Sequence, residues 1–153
     1  MAERFGLTKE NCPTHPSNCT LDWVKADQSK GVKYFVLEQD GRPVGCVAVE
    51  QATPQTCYAE RLAVLPEFRH KGFGRALMRH AIGAAKNMGA VRVEIGIISR
   101  KVELKDWYER MGFVVAQTKS LPHLPFQVTF MAIDLKSQVK TAMAKAKHSS
   151  SVA

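Results

Sequence analysis

Between Arg69 and Gly89 the chain reads RHKGFGRALMRHAIGAAKNMG, with Gly72 and Gly74 one residue apart among the bases Arg69, His70, Lys71 and Arg75. Phe73, Leu77, Ala81, Ala84 and Met88 then recur at helical spacing, so the glycines stand where a helix begins. Glycine lets a backbone approach a ligand without a Cβ in the way, and the first turn of a helix carries amide N–H groups that have no internal acceptor. A turn of this kind holds anions, above all phosphate or pyrophosphate. Two known cradles are excluded. There is no G-x-x-x-x-G-K-[ST], and GFGRAL places Leu77 where a dinucleotide fingerprint needs its third glycine.

The surrounding elements must present this turn. TLDWVKADQSKG predicts a first helix with Thr20 as N-cap and Gly31 as its stop. VKYFVLEQDGRPVGCVAVEQ predicts two strands turning at Asp40-Gly41. QTCYAERLAVL predicts a third strand closed by Pro66, and strand periodicity through it sets Glu60 on one face with Leu62 and Val64. VRVEIGII alternates as a strand with Val91, Val93, Ile95 and Ile97 on one face; a helix from about Lys101 to Met111 ends at Gly112, and FVVAQ resumes as a strand. The loop TKSLPHLP precedes a last strand, FQVTFMAIDL. Strands and helices in this order predict a mixed sheet with helices on its faces.

With the turn placed between a strand and a helix, R-x-x-G-x-G resembles the acetyl-CoA signature of the GNAT N-acetyltransferase superfamily. ERLAVLPEFRHKGFGRALM is similar to that family's central strand, loop and helix, and LKDWYERMGFVV resembles its downstream helix-to-strand element; the likeness runs from about Val32 to Leu135. The resemblance implies an α/β (α+β) fold with a mostly antiparallel central sheet and helices on both faces. It also implies acetyl-CoA as co-substrate, with no metal. The family's central strand splays from its neighbour beyond a bulge, so Leu62, Ala63 and Val64 are expected to hold pantetheine and the acetyl carbonyl. Arg69, His70, Lys71, Gly72, Phe73, Gly74 and Arg75 are then expected to hold the pyrophosphate.

The implied reaction, amine attack on a thioester, needs a proton acceptor, a donor for the developing oxyanion and an acid for the leaving thiolate. Tyr108 matches the family tyrosine that protonates the departing sulfur, and a phenol of pKa about 10 suits that task. Glu60 resembles the family's glutamate base, with water or His123 as alternatives. Many members carry asparagine seven positions before the tyrosine. Here that place is Lys101, a candidate for a CoA phosphate. His123 and Phe126 are expected at the acceptor end. The expected activity is acetyl transfer to a primary amine of a small or amino-acid-type acceptor. A protein N-terminus or lysine is the alternative acceptor, and a silent acyl-CoA-binding module the alternative of another class.

Composition narrows the classes further. The 153 residues, 45% apolar and 24% charged, suit one globular domain over residues 1–135, followed by a basic tail over 136–153 expected to be disordered. Lys136, Lys140, Lys145 and Lys147 supply half of the net charge of +8, which argues against a specific nucleic-acid binder, and aromatic-basic interleaving is missing. No apolar run suits a membrane span or a signal peptide, so a cytoplasmic monomer or homodimer is expected. Cys12, Cys19, Cys46 and Cys57 form no C-x-x-C pair. CPTHPSNC, with Cys12, His15 and Cys19, reads as a proline-rich loop without metal.

Overall fold

The computed structural model describes residues 19–136. The segment holding Cys12 and His15, and the tail beyond Lys136, lie outside the described residues. Helix α1 covers Leu21–Ser29; Thr20 caps it, its hydroxyl accepting from the Trp23 amide at 3.4 Å, and Asp22 lies in the first turn where the helix dipole favours a carboxylate. Strands β1 (Lys33–Gln39) and β2 (Arg42–Thr53) form a hairpin around Asp40 and Gly41, whose φ angles of 51° and 77° give the primed turn that the dipeptide predicts. Strand β3 (Thr56–Val64) pairs antiparallel with β2 and is followed by a 3-10 turn at Pro66–Phe68.

Helix α2 (Phe73–Asn87) is the crossover to β4 (Arg92–Ile98), which runs parallel to β3. Helix α3 (Val102–Arg110), β5 (Val114–Ser120) and β6 (Gln127–Asp134) complete the described chain. The six strands lie in the order β1-β2-β3-β4-β6-β5, so β6 inserts antiparallel between β4 and the edge strand β5. Strand β5 extends to Ser120, beyond the Gln117 that its apolar run predicts. Its last residues are polar and its whole length is exposed, so apolar alternation carries no signal there.

One face of the sheet and two helices share the main core. Leu77, Met78, Ala81 and Ala85 form the buried stripe of α2 and meet Val47, Val49, Cys57, Ala59, Val93, Ile95, Met131 and Ile133. Tyr108 of α3 and Phe113 join the same cluster. Fully burying a side chain as large as Phe113 contributes roughly 1.5–3 kcal/mol. Phe35 and Leu37 of β1 pack on this face, so Tyr34, one residue out of phase with them, points to the opposite one. There its hydroxyl donates to Asp27 of α1 at 2.6 Å, which places α1 on the second face.

Candidate active site

The central strand carries a fault in its phase. Ala48 pairs with Glu60 and Cys46 with Ala63, so Arg61 and Leu62 together oppose Val47, and Arg61 adopts φ 54°. This β-bulge reverses the alternation. Cys57 and Ala59 point into the α2 core before it, whereas Leu62 and Val64 point there after it. Glu60, level with Ala48 and Tyr34, therefore faces α1, not the side of Leu62 and Val64 that uninterrupted periodicity gives.

The bulge coincides with a parting of strands. The β3–β4 ladder consists of Thr56 with Arg92, Cys57 with Val93 and Tyr58 with Glu94. Beyond it, β3 keeps β2 on its outer edge and β4 keeps β6, so the inner edges of 59–64 and 95–98 face each other across a gap. Unpaired strand edges offer amides and carbonyls to an extended ligand. Leu62, Ala63 and Val64 line one side of this gap. Gly45, opposite Val64, supports them: a Cβ there would stand 2.9 Å from the Ala63 carbonyl oxygen and 2.8 Å from Leu77 Cδ1. An isolated glycine inside PVGCVAV is the sequence signal of that close approach.

At the far end of β3, Arg69 turns back and its Nε donates to the Val64 carbonyl at 3.1 Å, tying the loop to the strand. His70 and Gly72 take left-handed φ angles of 59° and 85°, and α2 begins at Phe73 with no side-chain cap. Its first helical bond runs from the Ala76 amide to the Gly72 carbonyl at 3.0 Å, leaving the amides of Phe73, Gly74 and Arg75 without helical acceptors. The side chains of His70, Lys71 and Arg75 are exposed around them, with Lys71 Nζ 5.3 Å from the Phe68 ring centre. A Cβ at Gly74 would lie 3.5 Å from Trp107 Cζ2, an ordinary contact distance, so α3 packs beside the start of α2 and would admit a small side chain there. Gly72 has open space around it, so its constraint is φ alone. Gly72→Ala is expected to lose about 1–2 kcal/mol, read as a lower midpoint in denaturant unfolding.

Tyr108 is 6% exposed, packed edge-on between Trp107 (4.9 Å) and Phe113 (5.4 Å). Burial pushes its phenol up, so the hydroxyl keeps its proton, and no side chain among the described residues bonds it. Glu60 is partly buried; desolvation, then Glu50, raises its carboxyl, Arg61 opposes and Asp27 adds to the rise. Lys101 precedes α3 and its carbonyl accepts from the Lys105 amide at 3.0 Å, which seats it at the C-terminal end of β4. An open cleft of about 580 Å³ at that end is lined by Arg100, Phe126 and neighbours; His123 is exposed outside it. Of the two residues expected at the acceptor end, the structure brings Phe126 to this cleft and leaves His123 out. Among the described residues no three His, Cys, Asp or Glu side chains converge as a metal site, and no helix is long and apolar enough to cross a membrane.

A six-stranded sheet parted beyond a bulge, followed by a glycine turn and an uncapped helix, offers an open strand edge and an anion-holding turn to one ligand. The GNAT acetyltransferase domain matches residues 30–115, and the chain belongs to that family. Over 91 residues it is 29% identical to the amino-acid acetyltransferase of Neisseria meningitidis, covering 59% of this chain and 20% of that protein. Over 93 residues it is 31% identical to the streptothricin acetyltransferase of Streptomyces lavendulae, covering 60% of this chain and 49% of that one. The chain thus spans half or less of the length of these two curated relatives. A GNAT family acetyltransferase from Elizabethkingia anophelis, crystallised with acetyl-CoA bound, shares the fold with a TM-score of 0.64 at 16% identity, over 86% of this chain and 90% of that one.

Proposed function

We propose that the chain is an acetyl-CoA-dependent N-acetyltransferase that acts on the primary amine of a small, amino-acid-type acceptor by direct transfer in a ternary complex. Residues 1–135 carry the activity and 136–153 are an appended basic tail. The observation that supports this most is the parting of β3 from β4 beyond the Arg61 bulge, with the glycine turn and the uncapped start of α2 following β3.

Acetyl-CoA supplies the thioester when bound. Exposed amides at Phe73, Gly74 and Arg75, with the side chains of Arg69, His70, Lys71 and Arg75, hold the pyrophosphate; Lys101 is the candidate for a further phosphate. The inner edge of Leu62, Ala63 and Val64 pairs with pantetheine, and an amide there donates to the oxygen that becomes negative as the amine attacks. Glu60, on the α1 face, takes the amine proton directly or through water. Tyr108, on the α3 face, gives its proton to the departing sulfur. The amine therefore enters from one face and the thiol leaves toward the other.

The test is thermal unfolding with acetyl-CoA, desulfo-CoA, ATP and NAD in parallel. A ligand at about a hundred times its Kd adds roughly 2.7 kcal/mol, and each kcal/mol moves the midpoint of a domain this size by roughly 2–4 °C. A rise of several degrees with the CoA compounds alone is expected, after which a panel of primary amines is screened for thiol release. An equal rise with ATP would reduce the glycine turn to a general anion site.

A further inference from the structure

Arg61 is the residue on which four separate segments converge. Its Nη2 lies 3.0 Å from Asp27 Oδ2 of α1, and its Nη1 donates to the Tyr34 hydroxyl of β1 at 2.6 Å and to Cys19 Sγ at 3.1 Å. The Tyr34 hydroxyl in turn donates to the same Asp27 oxygen at 2.6 Å, closing a triangle. The Trp23 ring lies 5.7 Å from the guanidinium carbon, and the Arg61 carbonyl accepts from the Cys46 thiol of β2 at 3.6 Å. All this is spent on a non-glycine residue at φ 54°, a conformation that persists only where its surroundings impose it. Helix α1 buries none of its residues fully, so this polar triangle is its main tether to the central strand.

We propose that Arg61 is a positioning residue: clamped by Asp27 and Tyr34, it holds the bulge that turns Glu60 toward α1 and aims the Leu62 to Val64 backbone at the gap. The inference rests on the reading of Glu60 as base and of that backbone as the thioester seat. It couples the two, because one clamped residue sets the direction of the strand on both sides. Glu60 is faced by the carboxylates of Glu50 from β2 and Asp27 from α1, with the neutral Tyr34 of β1 in the same cross-strand row, and Arg61 is the cation that opposes the two carboxylates.

The test follows the Glu60 carboxyl carbon by ¹³C NMR titration in glutamate-labelled protein, assigned by its loss in Glu60→Gln, beside calorimetric titration with acetyl-CoA. Arg61→Gly keeps the left-handed backbone accessible and removes the clamp. It is expected to raise the Glu60 midpoint by about one pH unit and to weaken acetyl-CoA several-fold. Arg61→Lys keeps the charge on a single, shorter-reaching nitrogen in place of the planar fork that also meets Cys19, so it restores the midpoint and only part of the affinity. Tyr34→Phe removes one corner of the triangle and is expected to weaken acetyl-CoA with little change at Glu60. A folded Arg61→Gly protein with wild-type midpoint and affinity overturns the proposal; if that variant does not fold, wild-type acetyl-CoA affinity in Tyr34→Phe overturns it. Failure of the wild-type protein to bind acetyl-CoA would instead sink the reading of the site, while the Glu60 titration would still decide whether Arg61 governs that carboxyl.

Discussion

Tyr108→Phe is expected to lower the turnover of acetyl-CoA with a primary amine by roughly 10²- to 10⁴-fold, the range of a positioned general acid, while acetyl-CoA binds as before. The variant is a clean chemical change because of how Tyr108 is held. Its ring is wedged edge-on between Trp107 and Phe113, and phenylalanine keeps both contacts. Its hydroxyl has no side-chain partner among the described residues, so losing it breaks no side-chain hydrogen bond among them. Stability should stay within a few tenths of a kcal/mol, as for a substitution that keeps shape. Burial holds the phenol well above its ordinary value, so it is a proton donor throughout the neutral and moderately alkaline range. If turnover in Tyr108→Phe matches the wild type at saturating acetyl-CoA, the residue is packing alone and another group protonates the thiolate.

Glu60→Gln is expected to cost roughly 10²-fold in kcat/KM for the amine and to change the shape of the pH profile. Burial, then Glu50, lifts the Glu60 carboxyl above the usual carboxylate range, so the wild-type rate should rise with pH through that lifted value as the base ionises. Glutamine has nothing to ionise, and this limb should vanish. Stability should move the other way. A carboxyl whose folded value is raised stabilises the fold fully at pH below its unfolded value, and that contribution is lost as pH climbs through the folded value. At neutral pH the ionised Glu60 is thus a burden on the folded state. Glu60→Gln should melt higher than the wild type at neutral pH, and the difference should shrink toward zero in acid. A variant that keeps both its rate and its pH limb would pass the role to water or to another group.

Much of the scaffold is legible in local chemistry. Thr20 and Gly31 bracket α1, Asp40-Gly41 turns the first hairpin, and the stripe at Leu77 and Ala81 marks the buried side of α2. Each of these signals is short in range and independent of what packs against it. The place of the glycine turn is equally plain, since closely spaced glycines among bases stand directly ahead of the apolar stripe of α2. The face of Glu60 is not legible. Alternation is blind to an inserted residue, and nothing in YAERLAV marks Arg61 as left-handed, because its conformation is imposed by Asp27 and Tyr34, distant in sequence. The end of β5 is hidden for another reason: an edge strand with both faces exposed has no apolar period to read. His123 shows the limit of loops, whose side chains take their direction from tertiary context.

The short seam between β3 and β4 bears on how the molecule holds together as a cooperative unit. Three residue pairs bond the blade β1-β2-β3 to the blade β4-β6-β5, and beyond them α2 and its buried stripe carry the connection. Each blade has its own antiparallel ladders, and the two share one core under α2. A molecule laid along the gap with backbone contacts to one blade and apolar contacts to the other would act as a seventh strand. Occupancy would lengthen the seam between the blades, and the unfolding midpoint is expected to rise with it.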